Sequence, residues 1–288
     1  MVDGSSRFTG EQSEKLRNSY VVTIDAENRT TLTEGISIIS KIRDEIERSE
    51  AIRIPLVWFV KFQRTWDEYL GIDTPAYFAD PVDTAFDGFE IANAELRSMR
   101  DRGDEIGWHY HATGYVHRQD LAHERRVEIL RADLVSCGAA IRRRHPEFDV
   151  RSFRFGWFFV PDYSVFSSLF EAGIRVDASV DPLKREGDKV ARHESTYLAP
   201  LTETPLVLDG VCLVPFAKTI LTHDWSVVPH EVCWRSHDEA TALRSRGRFT
   251  AEVTKAAREL HSTGASFITY APFHRYREIM PVYGSGVE

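Results

Sequence analysis

Short apolar segments rich in β-branched residues alternate with segments of helical periodicity along most of this 288-residue chain. Strands are predicted at residues 20–24, 54–60, 105–108, 152–155, 174–180 and 266–270, and helices at 33–46, 89–102, 120–137, 161–173 and 250–261. Strands that alternate with helices pair into a mostly parallel sheet, because each crossover helix returns the chain to the same edge. The pattern therefore predicts an α/β protein, either a barrel or an open doubly wound sheet.

The chain is predicted to form one domain with long insertions. Residues 1–18 are polar and read as a loose lead-in, and the domain spans residues 19–288. It contains three long connections with little periodicity, at residues 61–88, 181–205 and 217–247. Within residues 206–214 an Asp-Gly pair separates two apolar runs, which predicts a β-hairpin with a type I′ turn.

The formal net charge of −8 argues against a general nucleic-acid binder, since phosphate binding needs a basic surface. No apolar run approaches the roughly 18 residues of a membrane span. The first residues lack the basic-then-apolar pattern of a secretory signal, so we expect a cytoplasmic protein. Neither a G-x-G-x-x-G nor a G-x-x-x-x-G-K-[ST] motif occurs, and a nucleotide cofactor is therefore not indicated.

Cysteine usage restricts the kind of metal site that the chain could build. Cys137, Cys212 and Cys233 are far apart, odd in number and contain no C-x-x-C pair. This fits neither a disulfide framework nor a thiolate zinc site, and free thiols are expected. Any metal must therefore be held by histidine and carboxylate side chains.

Polar residues with reactive side chains follow successive predicted strands. They are Asp25 and Glu27, His109 and His111, Arg154, Asp177 and Asp181, and finally His274. In a parallel α/β barrel the active site lies at the face where the strands end. Neutral imidazole is the commonest metal ligand near pH 7, and carboxylates complete such sites. The order of these residues predicts one divalent cation, with zinc as the expected ion.

Five segments in this order resemble the motifs of the polysaccharide deacetylases, the NodB-homology carbohydrate esterases. The matching segments are Thr23-Ile24-Asp25-Ala26-Glu27, Glu105-Ile106-Gly107-Trp108-His109, Phe153-Arg154-Phe155-Gly156, Val176-Asp177-Ala178-Ser179-Val180 and the stretch from Phe267 to His274. The resemblance covers residues 20–278. It implies a distorted (β/α)7 barrel and metal-assisted hydrolysis of an N-acetyl group.

The resemblance also implies roles for single residues. By motif position, Asp25 would be the general base, Arg154 would orient it, and His274 would be the general acid. Glu27 and His109 would bind the metal. The family's second motif has two histidines four residues apart, but Thr113 stands four residues after His109. His111 is the nearest substitute for the remaining ligand, and His117 is the alternative.

The expected substrate is a small molecule or saccharide, with no nucleic-acid or membrane partner. Trp157 and Trp225 fall in loops near the predicted site residues and are candidates for substrate contacts. The first expectation for function is N-deacetylation of an amino sugar or a related small metabolite. Hydrolysis of a cyclic amide or ureide is an alternative on the same fold. A degenerate barrel that binds carbohydrate without turnover is another.

Overall fold

The computed structural model describes residues 21–27, 31–64, 85–180, 186–190, 195–198, 206–214, 250–251, 253–258, 266–271 and 274. Within these ranges the strands are β1 (Val22–Ala26), β2 (Leu56–Gln63), β3 (Phe86–Asp87), β4 (Glu105–Tyr110), β5 (Ser152–Phe155), β6 (Val176–Asp177), β7 (Leu206–Leu208) and β8 (Val211–Leu213). The α-helices with both ends described are α1 (Ile36–Glu50), α2 (Gly88–Ile91), α3 (Asn93–Asp101), α4 (Thr113–His117), α5 (His123–Arg144) and α6 (Val165–Glu171).

The described strands form one mostly parallel sheet, which confirms the predicted α/β class. Its order is β1-β2-β4-β5-β6-β8-β7, with β3 paired to β2. Every pair from β1 through β6 to β8 along this path is parallel. The β7–β8 and β2–β3 pairs are antiparallel. Because the strands that contribute polar residues run the same way, their carboxyl ends meet at one edge.

The sheet is strongly curved, and its concave face encloses a small core. Arg154 of β5 donates hydrogen bonds to Thr23 and Asp25 of β1, although β2 and β4 separate those strands in the sheet. Across three strand spacings a flat sheet would hold the two backbones about 14 Å apart. The same concave face carries one apolar cluster, whose members come from strands near both edges of the sheet, including Val57 of β2 and Cys212 of β8. The curvature is barrel-like.

The convex face is covered by the helices, and it carries the larger apolar core. The periodic isoleucines of α1 turn inward as predicted, and Ile36, Ile39 and Ile46 are buried. Helix α5 approaches the end of α6 so closely that a Cβ on Gly138 would lie 2.6 Å from the Cβ of Ala172, the residue that follows α6. Among the described residues, no helix combines the length and the apolar composition that a membrane crossing requires.

Several predicted boundaries are wrong. Strand β2 continues to Gln63, β3 pairs with it, and α2 begins at Gly88, so the connection predicted at 61–88 is shorter at both ends. The helix predicted at 89–102 is broken at Ala92, whose φ of −121° leaves the helical range. Helix α5 runs to Arg144 rather than 137, and α4 was not predicted.

Toward the carboxyl terminus some of the predicted elements are confirmed and one is wrong. The hairpin is confirmed, because Asp209 and Gly210 both have positive φ, 49° and 83°, as a type I′ turn requires. The helix predicted from residue 250 is present wherever it is described. The strand predicted at 266–270 is wrong, since only Phe267 makes a bridge there. Residues 1–18 and 217–247 lie outside the described residues. The stretch 181–205 includes an antiparallel bridge between Lys189 and Thr196.

A buried ion pair ties α1 to the amino ends of β2 and β4. Nη1 of Arg43 lies 2.6 Å from both carboxylate oxygens of Asp104. The same carboxylate accepts hydrogen bonds from Leu56 N at 3.1 Å and from Trp58 Nε1 at 2.9 Å. Both charged side chains are almost fully buried. Asp104 therefore compensates a desolvated guanidinium and also satisfies two donors of the sheet.

We expect Asp104→Ala to lower the free energy of unfolding by about 3–5 kcal/mol, because it leaves the Arg43 charge buried without its partner. Urea unfolding would measure the loss. Asp101→Ala is the matched control, since its carboxylate pairs with Arg100 at 2.6 Å but is 66% exposed. Exposed pairs contribute at most about 1 kcal/mol. Equal losses for the two variants would contradict a structural role for the buried pair.

Candidate metal centre

Two pairs of polar side chains meet at the carboxyl ends of β1 and β4. Asp25 lies in β1 with Glu27 just beyond its end, and His109 lies in β4 with His111 just beyond its end. Side chains two residues apart on a strand project from the same face. The parallel register places both pairs on the concave face of the curved sheet. The structure therefore brings together residues that are more than 80 positions apart.

Glu27, His109 and His111 form a compact triad of metal-ligand types. The Nε2 atoms of the two imidazoles are 3.0 Å apart. Nε2 of His111 lies 3.0 Å from Oε2 of Glu27, and Nε2 of His109 lies 3.4 Å from Oε1. One ligand atom from each residue falls within 4.8 Å of the others. Ligand atoms held at about 2.0–2.2 Å around a tetrahedral zinc ion lie roughly 3.3 Å apart, so the spacing fits.

Protonation in the triad also suits a cation. Burial lowers the pKa of the His111 imidazole to about 4, although the Glu27 carboxylate opposes the shift. Burial alone would raise the pKa of Glu27, but the imidazoles of His111 and His109 hold it well below its ordinary value. At neutral pH the carboxylate is ionised and the His111 ring keeps a free lone pair. A divalent cation requires its ligands in these forms.

The Nδ1 atoms of His109 and His111 also suit a bound cation. Nδ1 of His109 and Nδ1 of His111 are buried and have no hydrogen-bond partner among the described residues. Both Nε2 atoms point into the triad, so a bound cation would place the N–H of each ring on Nδ1. Nδ1 of His109 faces Oδ1 of Asp25 at 4.0 Å. Metal-bound imidazoles commonly donate their second N–H to a carboxylate, and Asp25 is the neighbouring candidate.

Backbone features hold His111 in place beyond the end of β4. Its backbone N–H donates to Oε1 of Gln63, which extends the contact between β2 and β4 by one step. On the other side, a Cβ at Gly156 would lie 2.3 Å from the His111 ring. Glycine at 156 thus leaves the space that the imidazole occupies, and a larger residue would push it out of the triad.

The turn after β5 adds an aromatic wall. The Trp157 ring meets the His111 ring edge-on, with centroids 4.8 Å apart. Trp157 and Phe158 both adopt positive φ, 57° and 54°, which is costly for bulky residues and is found mainly at functional sites. The Tyr197 hydroxyl donates to the Trp157 carbonyl at 2.7 Å and helps to hold the turn. Trp157 therefore borders the triad, where the sequence had placed it.

Asp25 is held by the neighbouring arginine. Nη1 of Arg154 donates to Oδ1 of Asp25 and to Oγ1 of Thr23, both at 2.9 Å. Nε of Arg154 donates to the Ala178 carbonyl at 3.3 Å. The guanidinium is fully buried and packs 4.2 Å from the Phe59 ring centre. These contacts fix the Asp25 carboxylate beside the triad, as expected for a residue that Arg154 orients.

The other predicted site residues do not join this group. His117 ends α4 and is not part of the triad, so His111 is the second imidazole among the described residues. Nε2 of His274 lies 3.1 Å from Oε1 of Glu105, the first residue of β4. About 13 Å of strand separates that backbone position from His109. The structure therefore offers no support for His274 as the general acid. Trp225 and Asp181 lie outside the described residues.

Lys61 and Gln63 are site residues that the sequence analysis missed. They were assigned to a loop, but both lie in β2 and are buried. Lys61 pairs in register with His109, so both project from the concave face. The sequence contained a signal for Lys61. The lysine interrupts the apolar run Leu56–Gln63 and continues the two-residue spacing of Val57 and Phe59, so it faces the same side of the strand as they do.

Asp177 is a buried carboxyl group that supports the site from behind. Its two oxygens accept hydrogen bonds from the backbone N–H of Ser179 at 3.0 Å and from the Ser179 hydroxyl at 2.6 Å. The same hydroxyl oxygen accepts from Phe155 N at 2.8 Å. Burial raises the pKa of Asp177 to about 7 despite these bonds and the Arg154 charge. Asp177 thus braces the end of β6 against the strand that carries Arg154.

We expect the free energy of unfolding to fall as the pH rises from about 4 to about 7, because the pKa of Asp177 is raised in the folded protein. In this window the folded protein binds a proton that the unfolded chain, with an Asp pKa near 3.9, has released. Asp177→Asn has no carboxyl group to titrate at this position. At pH 4 its unfolding free energy should lie below that of native protein, and this difference should shrink by up to about 4 kcal/mol by pH 8. Urea unfolding across this range measures it. Asp149→Asn, at a carboxylate that is 75% exposed, should leave the pH slope unchanged. Parallel pH profiles for native protein and Asp177→Asn would contradict the prediction.

Comparisons with known proteins add no family to this geometry. No family model matches the chain, and no curated protein matches it.

Proposed function

We propose that the protein is a metal-dependent hydrolase of non-peptide C–N amide bonds, with the polysaccharide deacetylase type of site on a distorted (β/α)7 barrel. The observation that carries the proposal is the convergence of Glu27, His109 and His111 beside a carboxylate, Asp25, that the triad does not use. Nitrogen and oxygen ligands in this number suit zinc, which commonly takes three protein ligands in catalytic sites and leaves one position open.

The chemistry divides between the cation and the chain. A divalent cation held by the triad would polarise the amide carbonyl and acidify an attacking water. Asp25 accepts the proton of that water as its oxygen bonds to the carbonyl carbon. The same carboxyl then returns the proton to the amide nitrogen as the C–N bond breaks, which leaves a carboxylic acid and an amine. Asp25 serves as both base and acid here because His274 lies against Glu105.

Arg154 orients the Asp25 carboxylate that serves as the base. Its Nη1 donates to Oδ1 of Asp25 at 2.9 Å and fixes the direction of the carboxylate. Trp157 provides an apolar wall beside His111 that suits the methyl group of an acetyl substituent. These features support N-deacetylation of an amino sugar or a related small metabolite.

Zinc-loaded protein should release acetate from N-acetylated amino sugars, with one free amine formed per acetate. A chelator should stop the release and added zinc should restore it. Cyclic amides and ureides should be assayed for ring opening in parallel. Ring opening without acetate release would move the proposal to the second substrate class, whereas a zinc-loaded protein inactive in both assays would contradict it.

A further inference from the structure

His111 contributes its imidazole from a position just outside a strand. Strand β4 ends at Tyr110, one residue earlier. On one side the parallel ladder with β2 runs as far as the pair of Lys61 and His109, and on the other the ladder with β5 ends at Tyr110. Two histidines two residues apart project from the same face only while the alternation of the strand continues. A contact beyond the strand ladder must therefore hold the His111 backbone.

The Gln63 side chain makes this contact. Gln63 is the last residue of β2, two residues after Lys61, so the register of the ladder places it opposite His111. Its Oε1 accepts a hydrogen bond from the His111 backbone N–H at 3.2 Å, and each of the two residues is 2% exposed. Antiparallel pairing with Phe86 of β3 holds the Gln63 backbone in turn. A side-chain amide thus adds one rung to the ladder beyond the end of β4.

We propose that Gln63 is a positioning residue of the metal centre, whose carbonyl oxygen fixes the His111 backbone so that His109 and His111 present both imidazoles to one cation. This inference rests on the proposed function and adds a residue to its site. In the triad, Nε2 of His111 lies 3.0 Å from Nε2 of His109 and 3.0 Å from Oε2 of Glu27. The extra rung explains how histidines only two residues apart can serve as a ligand pair.

Gln63→Met removes the acceptor and keeps the length of the side chain. It should weaken zinc binding about 10- to 100-fold, the usual cost of losing an outer partner of a metal ligand. Gln63→Glu keeps an oxygen acceptor and should stay within about 3-fold of native affinity or bind zinc more tightly, since it adds a negative charge. Gln119→Met is the matched control, because Nε2 of Gln119 donates to the Val116 carbonyl at 2.7 Å, outside the triad. Calorimetric titration with zinc measures each affinity.

A double-mutant cycle with His111→Ala separates positioning from general damage. If Gln63 acts through His111, Gln63→Met should change zinc affinity less than about 2-fold once the His111 imidazole is absent. A purely structural role would reduce the affinity by the same factor with and without the imidazole. Equal losses in the two backgrounds would therefore overturn the inference.

The unfolding midpoint of each variant is measured first. If methionine at position 63 prevents folding, Gln63→Asn takes its place, because a side chain shorter by one methylene group withdraws the acceptor and should also cost about 10-fold in zinc affinity. Native zinc affinity in the folded removal variant would overturn the inference and leave the proposed function intact, and so would a loss in Gln63→Glu as large as in Gln63→Met. Native protein that takes up no zinc would instead remove the proposed function, and the role of Gln63 with it.

Discussion

Zinc affinity should fall at least about 100-fold when either Glu27 or His109 is replaced by alanine. Each substitution removes one of three ligand atoms that lie 3.0 to 3.4 Å apart in the structure. Loss of an outer partner of a metal ligand already costs about 10- to 100-fold, so loss of a ligand itself should cost more. Native protein should bind about one zinc per chain, measured by elemental analysis after gel filtration and by calorimetric titration.

Matched controls separate ligation from general damage. His123→Ala removes an imidazole that contacts Asp162 and Tyr115, away from the triad. Glu45→Ala removes an exposed carboxylate of α1. Both control variants should keep the native zinc affinity. If Glu27→Ala and His109→Ala retained native affinity as well, the triad would not be the metal site.

Asp25→Asn should reduce amide hydrolysis by about 10²- to 10⁴-fold while zinc stays bound, because it removes proton transfer but no ligand. Asparagine keeps the size and the oxygen that accepts from Arg154, so the substitution is conservative in shape. The readouts are the turnover rate of the zinc-loaded enzyme and its zinc stoichiometry, taken on the same sample. A variant with full zinc and native turnover would end the role of Asp25 as the proton carrier.

Thr23→Val is the matched control for the arginine network. Thr23 accepts from the same Nη1 of Arg154 at 2.9 Å, and valine keeps its β-branched shape. The variant loosens Arg154 without touching the reacting groups, so turnover should fall less than 10-fold. A loss as large as that of Asp25→Asn would show that the orientation of Arg154, rather than proton transfer by Asp25, limits the reaction.

Much of the scaffold followed from local patterns. The isoleucines of α1, the β-branched residues of β1 and the Asp-Gly hairpin each satisfy a rule that operates over a few residues. Each element formed, with the ends of β1 and α1 shifted by a few residues from the predicted ones. Boundaries were less secure. Strand β2 runs on to Gln63 because pairing with β3 and β4 stabilises residues whose own composition, with a lysine and a glutamine, is typical of a loop.

The candidate site divides in the same way. The order of motifs brought Asp25, Glu27, His109, His111, Arg154 and Trp157 into consideration. The choice of His111 over His117 required the geometry, because His111 continues the alternation of β4 whereas His117 closes the short helix α4. Arg154 reaches Asp25 only because the sheet curls and brings β5 opposite β1.

The sequence by itself determined the α/β alternation and the residue types available at the strand ends, since these depend on composition and short-range periodicity. The tertiary structure alone decided which of those side chains meet. It placed Lys61 beside His109 and His274 against Glu105, at the other end of β4. Strand register and sheet curvature set such distances. Both depend on how segments far apart in the chain pack together, and a local pattern carries no record of that packing.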